Sequence, residues 1–194
     1  MNQELTEEIE YLIETLTKSG FFSTLEIEEI LEDQFDDENI DLSKFSIYLP
    51  DSSNENFKKL DNIFKKLAYK GIVGIHNCGF DLSEGVNDTF ELYLHLYNNN
   101  VKAEGFCFYT LEDVEYAIFD NKLKITFGDF DKNEQKALEM GKTIYKYLNE
   151  EFDVIWDESL NSQIEINPFK WDKIYDDEIY EIEGAYERFI EVLH

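Results

Sequence analysis

The sequence predicts an α/β domain with a mixed central sheet, flanking helices and two amphipathic helices at the N-terminus. Three observations predict it. Residues 71–128 hold three apolar strand candidates separated by two helix-like stretches. Before that core, residues 1–40 show the 3.6-residue periodicity of helices. After it, strand and helix patterns continue to alternate as far as the last residues. The 194 residues suit a single domain: a helical extension over about 1–40, a core over about 45–172 and a C-terminal helix over about 175–193. Hydrophobic residues make up 43% and aromatics 15% of the chain, enough to fill a core despite 31% charged residues.

Leu5, Ile9, Leu12, Ile13 and Leu16 recur at helical spacing, predicting a helix over 2–18 ended by Gly20. Ser23 with Glu26 reads as a capping box. It opens a second helix, with Ile27, Ile30, Leu31 and Phe35 on one face, up to the acidic cluster at 36–38. FSIYL at 45–49 reads as a short strand before Pro50. A helix over about 54–69 turns Phe57, Leu60, Ile63, Phe64 and Leu67 inward. Its other side carries Lys58, Lys59, Lys65 and Lys66, the one locally basic surface in the sequence.

GIVGI at 71–75 is a continuous apolar run, as expected of a strand buried on both faces, with His76 at its end. FELYLHLYNNN satisfies both helical and alternating spacing, and the helix reading is preferred. GFCFY at 105–109 is the next strand. Thr110 and Asp113 form a capping box for a short helix through Ile118, and LKITFG at 123–128 is a further strand. A helix over about 132–149 leads into FDVIW at 152–156, with QIEIN at 163–167 as its hairpin partner. From Tyr175, the residues Ile179, Ile182, Tyr186, Phe189, Ile190 and Leu193 lie at helical spacing.

The patterns GIVGIHNCGFDLSEG, GFCFYTLEDVEYA, LKITFG and DVIWDESLNSQIEI resemble an uncharacterised bacterial family filed as a domain of unknown function, across roughly residues 57–172. The resemblance implies a cytosolic bacterial protein and brings no activity or catalytic residue with it.

Charge excludes some functions. There are 44 acidic against 17 basic residues, a formal charge of −27. Such a field repels nucleic-acid backbones and anionic membrane surfaces, and favours solubility or a basic protein partner. Residues 1–61 carry 17 acidic against 4 basic side chains and residues 172–194 carry 8 against 2, so the excess sits at the ends. Solvated helix faces are the ordinary reading of such runs. A docking surface would instead need Glu28, Glu29, Asp33 and Asp36 to form one patch around an apolar centre. The acidic, polar N-terminus lacks the pattern of a signal peptide, and no apolar run approaches the length of a membrane span. Two cysteines, Cys78 and Cys107, make no disulfide framework and fit a cytoplasmic location.

If the strands at 71–75, 105–109 and 152–156 are parallel, then His76, Asn77, Tyr109, Thr110, Asp113, Trp156 and Asp157 lie at or beyond their carboxyl ends. That is the edge where open α/β sheets hold ligands. The candidate catalytic residues are His76 as general base, Asp81 or Asp113 to orient it, and Tyr109 nearby. A lone histidine at a strand end more commonly serves structure, and the aromatic residues more commonly pack a core. Cys107, inside an apolar strand, reads as a small buried hydrophobe. No phosphate loop, metal-ligand spacing or cofactor motif is present, so no metal and no cofactor are expected. Two functions follow: a non-catalytic acidic binding or regulatory protein, inhibitor-like or immunity-like toward a basic partner, or a hydrolase-like or transferase-like enzyme using His76 and a carboxylate.

Overall fold

A computed structural model describes residues 3–35, 44–50 and 53–193. The chain divides into two compact units, Met1–Glu55 with Asp172–Glu178, and Asn56–Trp171 with Ile179–His194.

The first unit contains α1 (Gln3–Ser19) and α2 (Thr24–Gln34). Ile9, Ile13 and Leu16 are buried on α1, as their spacing predicts. Gly20 ends that helix at φ +71, where a Cβ would stand 2.5 Å from the Lys173 carbonyl oxygen, so only glycine fits. The predicted capping box is present: Ser23 Oγ accepts from the Glu26 amide at 3.2 Å, and the Ser23 amide donates to Glu26 Oε2 at 2.7 Å. Lys173 is buried yet satisfied, donating to the Ile174 carbonyl and to Asp176 and lying over the Phe21 ring. Glu28, Glu29 and Asp33 are exposed on α2, whereas Asp36 lies outside the described residues. The strand expected at 45–49 does not form: residues 46–50 are irregular and pair with no strand. Alternation along FSIYL predicts an extended segment, but a strand also needs a partner edge to bond.

The second unit holds most of α3 (Glu55–Ala68) and the five strands found among the described residues. These are β1 (Ile72–Ile75), β2 (Gly105–Phe108), β3 (Leu123–Asp129), β4 (Val154–Ile155) and β5 (Ile164–Ile166). Its other helices are α4 (Leu82–Asn98), α5 (Leu111–Phe119), α6 (Glu134–Leu148) and α7 (Ile182–Leu193). The fold is α/β with a mixed sheet in the order β1-β2-β3-β5-β4. β1 runs parallel to β2, with Ile75 opposite Phe108, and every other pairing is antiparallel. β4 therefore runs against β1, and the parallel arrangement of 71–75, 105–109 and 152–156 is corrected. Trp156 and Asp157 lie at the end of the sheet away from His76. There Trp156 packs on Phe127 and Tyr145. The reversal follows from β5, which pairs antiparallel to β3 and so runs the same way as β1, leaving its hairpin partner β4 opposed.

The stretch read between helix and strand is helical, within α4, whose N-cap Asp81 and long apolar face outweigh the alternation. One core cluster joins Val73 and Ile75 of β1, Phe108 of β2, Leu92 and Leu96 of α4, and Phe189 of α7. Each fully buried side chain of this kind contributes about 1.5–3 kcal/mol. Gly74 stands within β1 where Phe64 of α3 lies directly over the strand: a Cβ there would come within 2.5 Å of the ring.

Candidate functional site

His76 directly follows β1, and Asn77 then turns the backbone through the left-handed region at φ +49, which asparagine tolerates better than most residues. The Cys78 amide donates to the Tyr109 carbonyl at 2.8 Å, holding together the two chain ends that leave β1 and β2. The parallel register brings the two side chains into contact. His76 Nδ1 lies 2.7 Å from Tyr109 Oη, and neither residue has exposed surface.

On its other side, His76 Nε2 lies 3.3 Å from Asp61 Oδ1, and Asp61 Oδ2 pairs with Lys65 Nζ at 2.6 Å. Burial alone would push the Asp61 carboxyl up, but its hydrogen bond and charge interaction with His76, reinforced by Lys65, hold it well below the usual carboxylate range. An ionised carboxylate only accepts, so Nε2 carries a proton. A neutral ring then accepts the Tyr109 hydroxyl proton at Nδ1; a protonated ring donates Nδ1–H to Tyr109 Oη. The Tyr109 phenol is held in its protonated form by burial, with the Asp61 charge adding to the effect.

Rings close this group. Phe64 stacks on His76 at 4.5 Å between centroids, Phe57 lies at 5.1 Å, and Tyr180 meets it edge-on at 5.6 Å. Of Tyr109, His76 and Asp61, it is Asp61 that reaches solvent, with 16% of its side chain exposed. The adjoining crevice between Asp61, Lys65, Gly74 and Arg188 has a volume of about 10 Å³, the space of roughly one water. Tyr109, His76 and Asp61 thus form a proton-linked chain whose tyrosine and imidazole have no exposed surface.

The other sequence candidates lie elsewhere in the hydrogen-bond network. Asp113 is the third residue of α5, and its Oδ2 accepts from the Thr110 amide and hydroxyl, each at 3.0 Å. Burial pushes its carboxyl up, with the Thr110 bonds opposing. It is the N3 residue of the predicted capping box, and its carboxylate is engaged there. Asp81 caps α4, accepting from the Glu84 amide at 2.9 Å. The carboxylate that orients His76 is Asp61, which the sequence reading missed. Its one sequence signal is Lys65 four residues on, a spacing that pairs charges on a helix surface.

The cysteines are closed off. Burial pushes the Cys78 thiol up to about 12, and its Sγ donates to the Gly85 carbonyl at 3.4 Å. Cys107 is raised further, by burial alone. Among the described residues, no group of three or more His, Cys, Asp or Glu side chains is placed to hold a metal ion. No described helix is long and apolar enough to cross a membrane.

A larger concavity, about 590 Å³, lies beside the loop that enters β2, at the edge opposite His76. Tyr93, Tyr97, Val101, Lys102, Glu104 and Lys136 are among its lining residues. It leads onto α4, whose outward side is apolar: Leu82, Val86, Phe90 and Leu94 are exposed at intervals of four, with Tyr97 beyond them.

No curated protein and no solved structure matches this chain. A family model does match, across residues 51–175, a span that takes in β1 to β5 together with His76, Tyr109 and Asp61. The chain belongs to the family described as Domain of unknown function (DUF6891).

Proposed function

We propose that this protein is a non-catalytic, acidic binding or regulatory module of the cytosol that engages a basic protein, in the manner of an inhibitor. The observation that carries this reading is the contrast between a closed core and a charged exterior. His76 and Tyr109, the groups best suited to chemistry, have no exposed surface, whereas the acidic excess of 44 over 17 is available to steer a partner. An enzyme built on His76 would need a cleft of several hundred Å³ at that edge, and the crevice there has room for about one water. Two unpaired, buried cysteines accord with a reducing compartment.

The test is capture on immobilised protein from native lysate at low and moderate salt, followed by kinetics with the purified partner. A basic protein should be retained, and its association rate should rise steeply as salt falls, since the screening length grows from about 8 Å at physiological ionic strength to about 30 Å at 0.01 M. Recovery of no basic protein at either salt concentration overturns the reading.

A further inference from the structure

We propose that the outward side of α4 is the contact between two copies of this chain, packed as a symmetric pair with the two helices antiparallel. This self-association stands apart from the basic-partner reading above and responds to salt in the opposite direction.

Leu82, Val86, Phe90 and Leu94 are between 43% and 57% exposed, and Tyr97 is 68% exposed. Gly85, Thr89, Leu92 and Leu96 already face the core. A surface helix ordinarily shows one apolar stripe to the core and polar residues to water, so a second apolar stripe in solvent calls for a cover. At about 150–200 Å² for a large side chain, the five present roughly 400–550 Å² per copy. Two copies would then bury about 1,000 Å², the size at which a contact passes from crystal-like packing to a specific interface.

Charge and shape select a second copy. The positions beside the row on its solvent side are Ser83, Asn87 and Asn98, so this side of α4 carries no charged residue in a chain that is 31% charged. The carboxylates of the helix, Glu84, Asp88 and Glu91, are turned toward α7, where Glu183 lies near Asp88. Two chains of charge −27 repel each other, and on this face they meet without bringing carboxylates together. A basic partner would find no anion beside the apolar contact. The face is also self-complementary. Phe90 is the midpoint of the 17-residue helix, so an antiparallel crossing about a two-fold axis sets Phe90 against its own copy, Val86 against Leu94, and Leu82 against the Tyr97 end. At that end Tyr93 and Tyr97 line the 590 Å³ groove, a hollow for Leu82 of the other copy. The groove's charged residues are paired, Lys102 with Glu104 at 2.5 Å and Lys136 with Asp131 at 2.6 Å, and add no net charge.

The experiment is sedimentation equilibrium of the full chain over a concentration series. At physiological salt a monomer–dimer equilibrium should appear. Phe90→Asn, which changes the centre of the contact in both copies, should weaken it at least about tenfold. Dimerisation should also weaken as salt is lowered, because the screening length grows and the net charges of the two copies repel over a longer range; a basic partner would instead associate faster there. A chain that stays monomeric up to about 1 mM overturns the proposal. So does a dimer that Phe90→Asn leaves intact, or one that tightens as salt falls. Should Phe90→Asn melt early, Phe90→Cys in the otherwise unchanged chain decides the point, since Cys78 and Cys107 are buried. Mild oxidation should link Phe90→Cys chains in pairs, and at least about tenfold faster than chains carrying Glu187→Cys at an exposed position of α7. Equal rates reject the face. Phe90→Cys chains that crosslink in lysate to a foreign protein, while the purified chain remains monomeric, would give the face to that protein and overturn the proposal.

Discussion

Tyr109 Oη and His76 Nδ1 stand 2.7 Å apart at the carboxyl ends of two parallel strands, sealed beneath the rings of Phe57, Phe64 and Tyr180. Each satisfies the other in a place that water does not enter. The pair ties β1 to β2 at that edge, as a buried hydrogen bond does.

Replacing Tyr109 with Phe removes the hydroxyl and leaves a buried imidazole nitrogen without that partner. The expected cost is about 1–3 kcal/mol, read as a lower urea midpoint with an unchanged slope. His76→Ala should cost at least as much, because it opens space beneath Phe64 as well. A Tyr109→Phe variant with the wild-type midpoint would show that the bond contributes nothing.

Asp61 makes stability depend on acid pH in a defined direction. Its folded-state value lies well below the ordinary 3.8, so its contribution is complete above about pH 4 and is lost as pH falls through the depressed value. The raised carboxyls of Asp88 and Asp113 act in the opposite sense. The informative quantity is therefore the difference between wild type and Asp61→Asn: the gap in melting temperature should be wide near neutrality and narrow as pH drops from about 4 toward 2. A gap that stays constant over that range would dismiss the His76 and Lys65 pairing as the source of the effect.

Both thiols should be silent in the folded protein. Burial holds both thiols in their protonated form and leaves almost no thiolate at neutral pH, so an aromatic disulfide reagent should titrate neither Cys78 nor Cys107 until urea unfolds the chain. Rapid native labelling of either one would contradict the packing around α4 and β2.

Gly74→Ala puts a methyl group 2.5 Å from the Phe64 ring. Phe64 must move, and with it the stack on His76, at a cost of about 1–3 kcal/mol. Calorimetry reads the change as a fall in melting temperature of about 2–4 °C per kcal/mol for a chain of this size. A neutral substitution would mean that the helix carrying Phe64 yields more readily than its packing suggests.

What the sequence determined by itself was local. Periodicity placed α1, α2, α3, α6 and the buried strands IVGI and GFCF; side chains three residues apart specified the caps of α2 and α5; composition alone established the charge. These features depend on neighbours within a turn or two, and the chain carries them openly. The tertiary structure decided whatever depends on which distant segments meet. Strand direction was one such matter, since β4 reads alike whichever way it runs and only the pairing of β5 against β3, with β4 against β5, turns Trp156 away from His76. Partner edges were another, leaving FSIYL extended but unpaired. The histidine's carboxylate was the third. Asp81 and Asp113 are closer to the expected strand ends in sequence, but helix capping had already engaged them, and α3 folds Asp61 over the strand instead. Nor does a helical wheel of α4 say which of its two apolar sides faces the core. Packing against β1, β2 and α7 buried Leu92 and Leu96, and left Val86 and Phe90 in water.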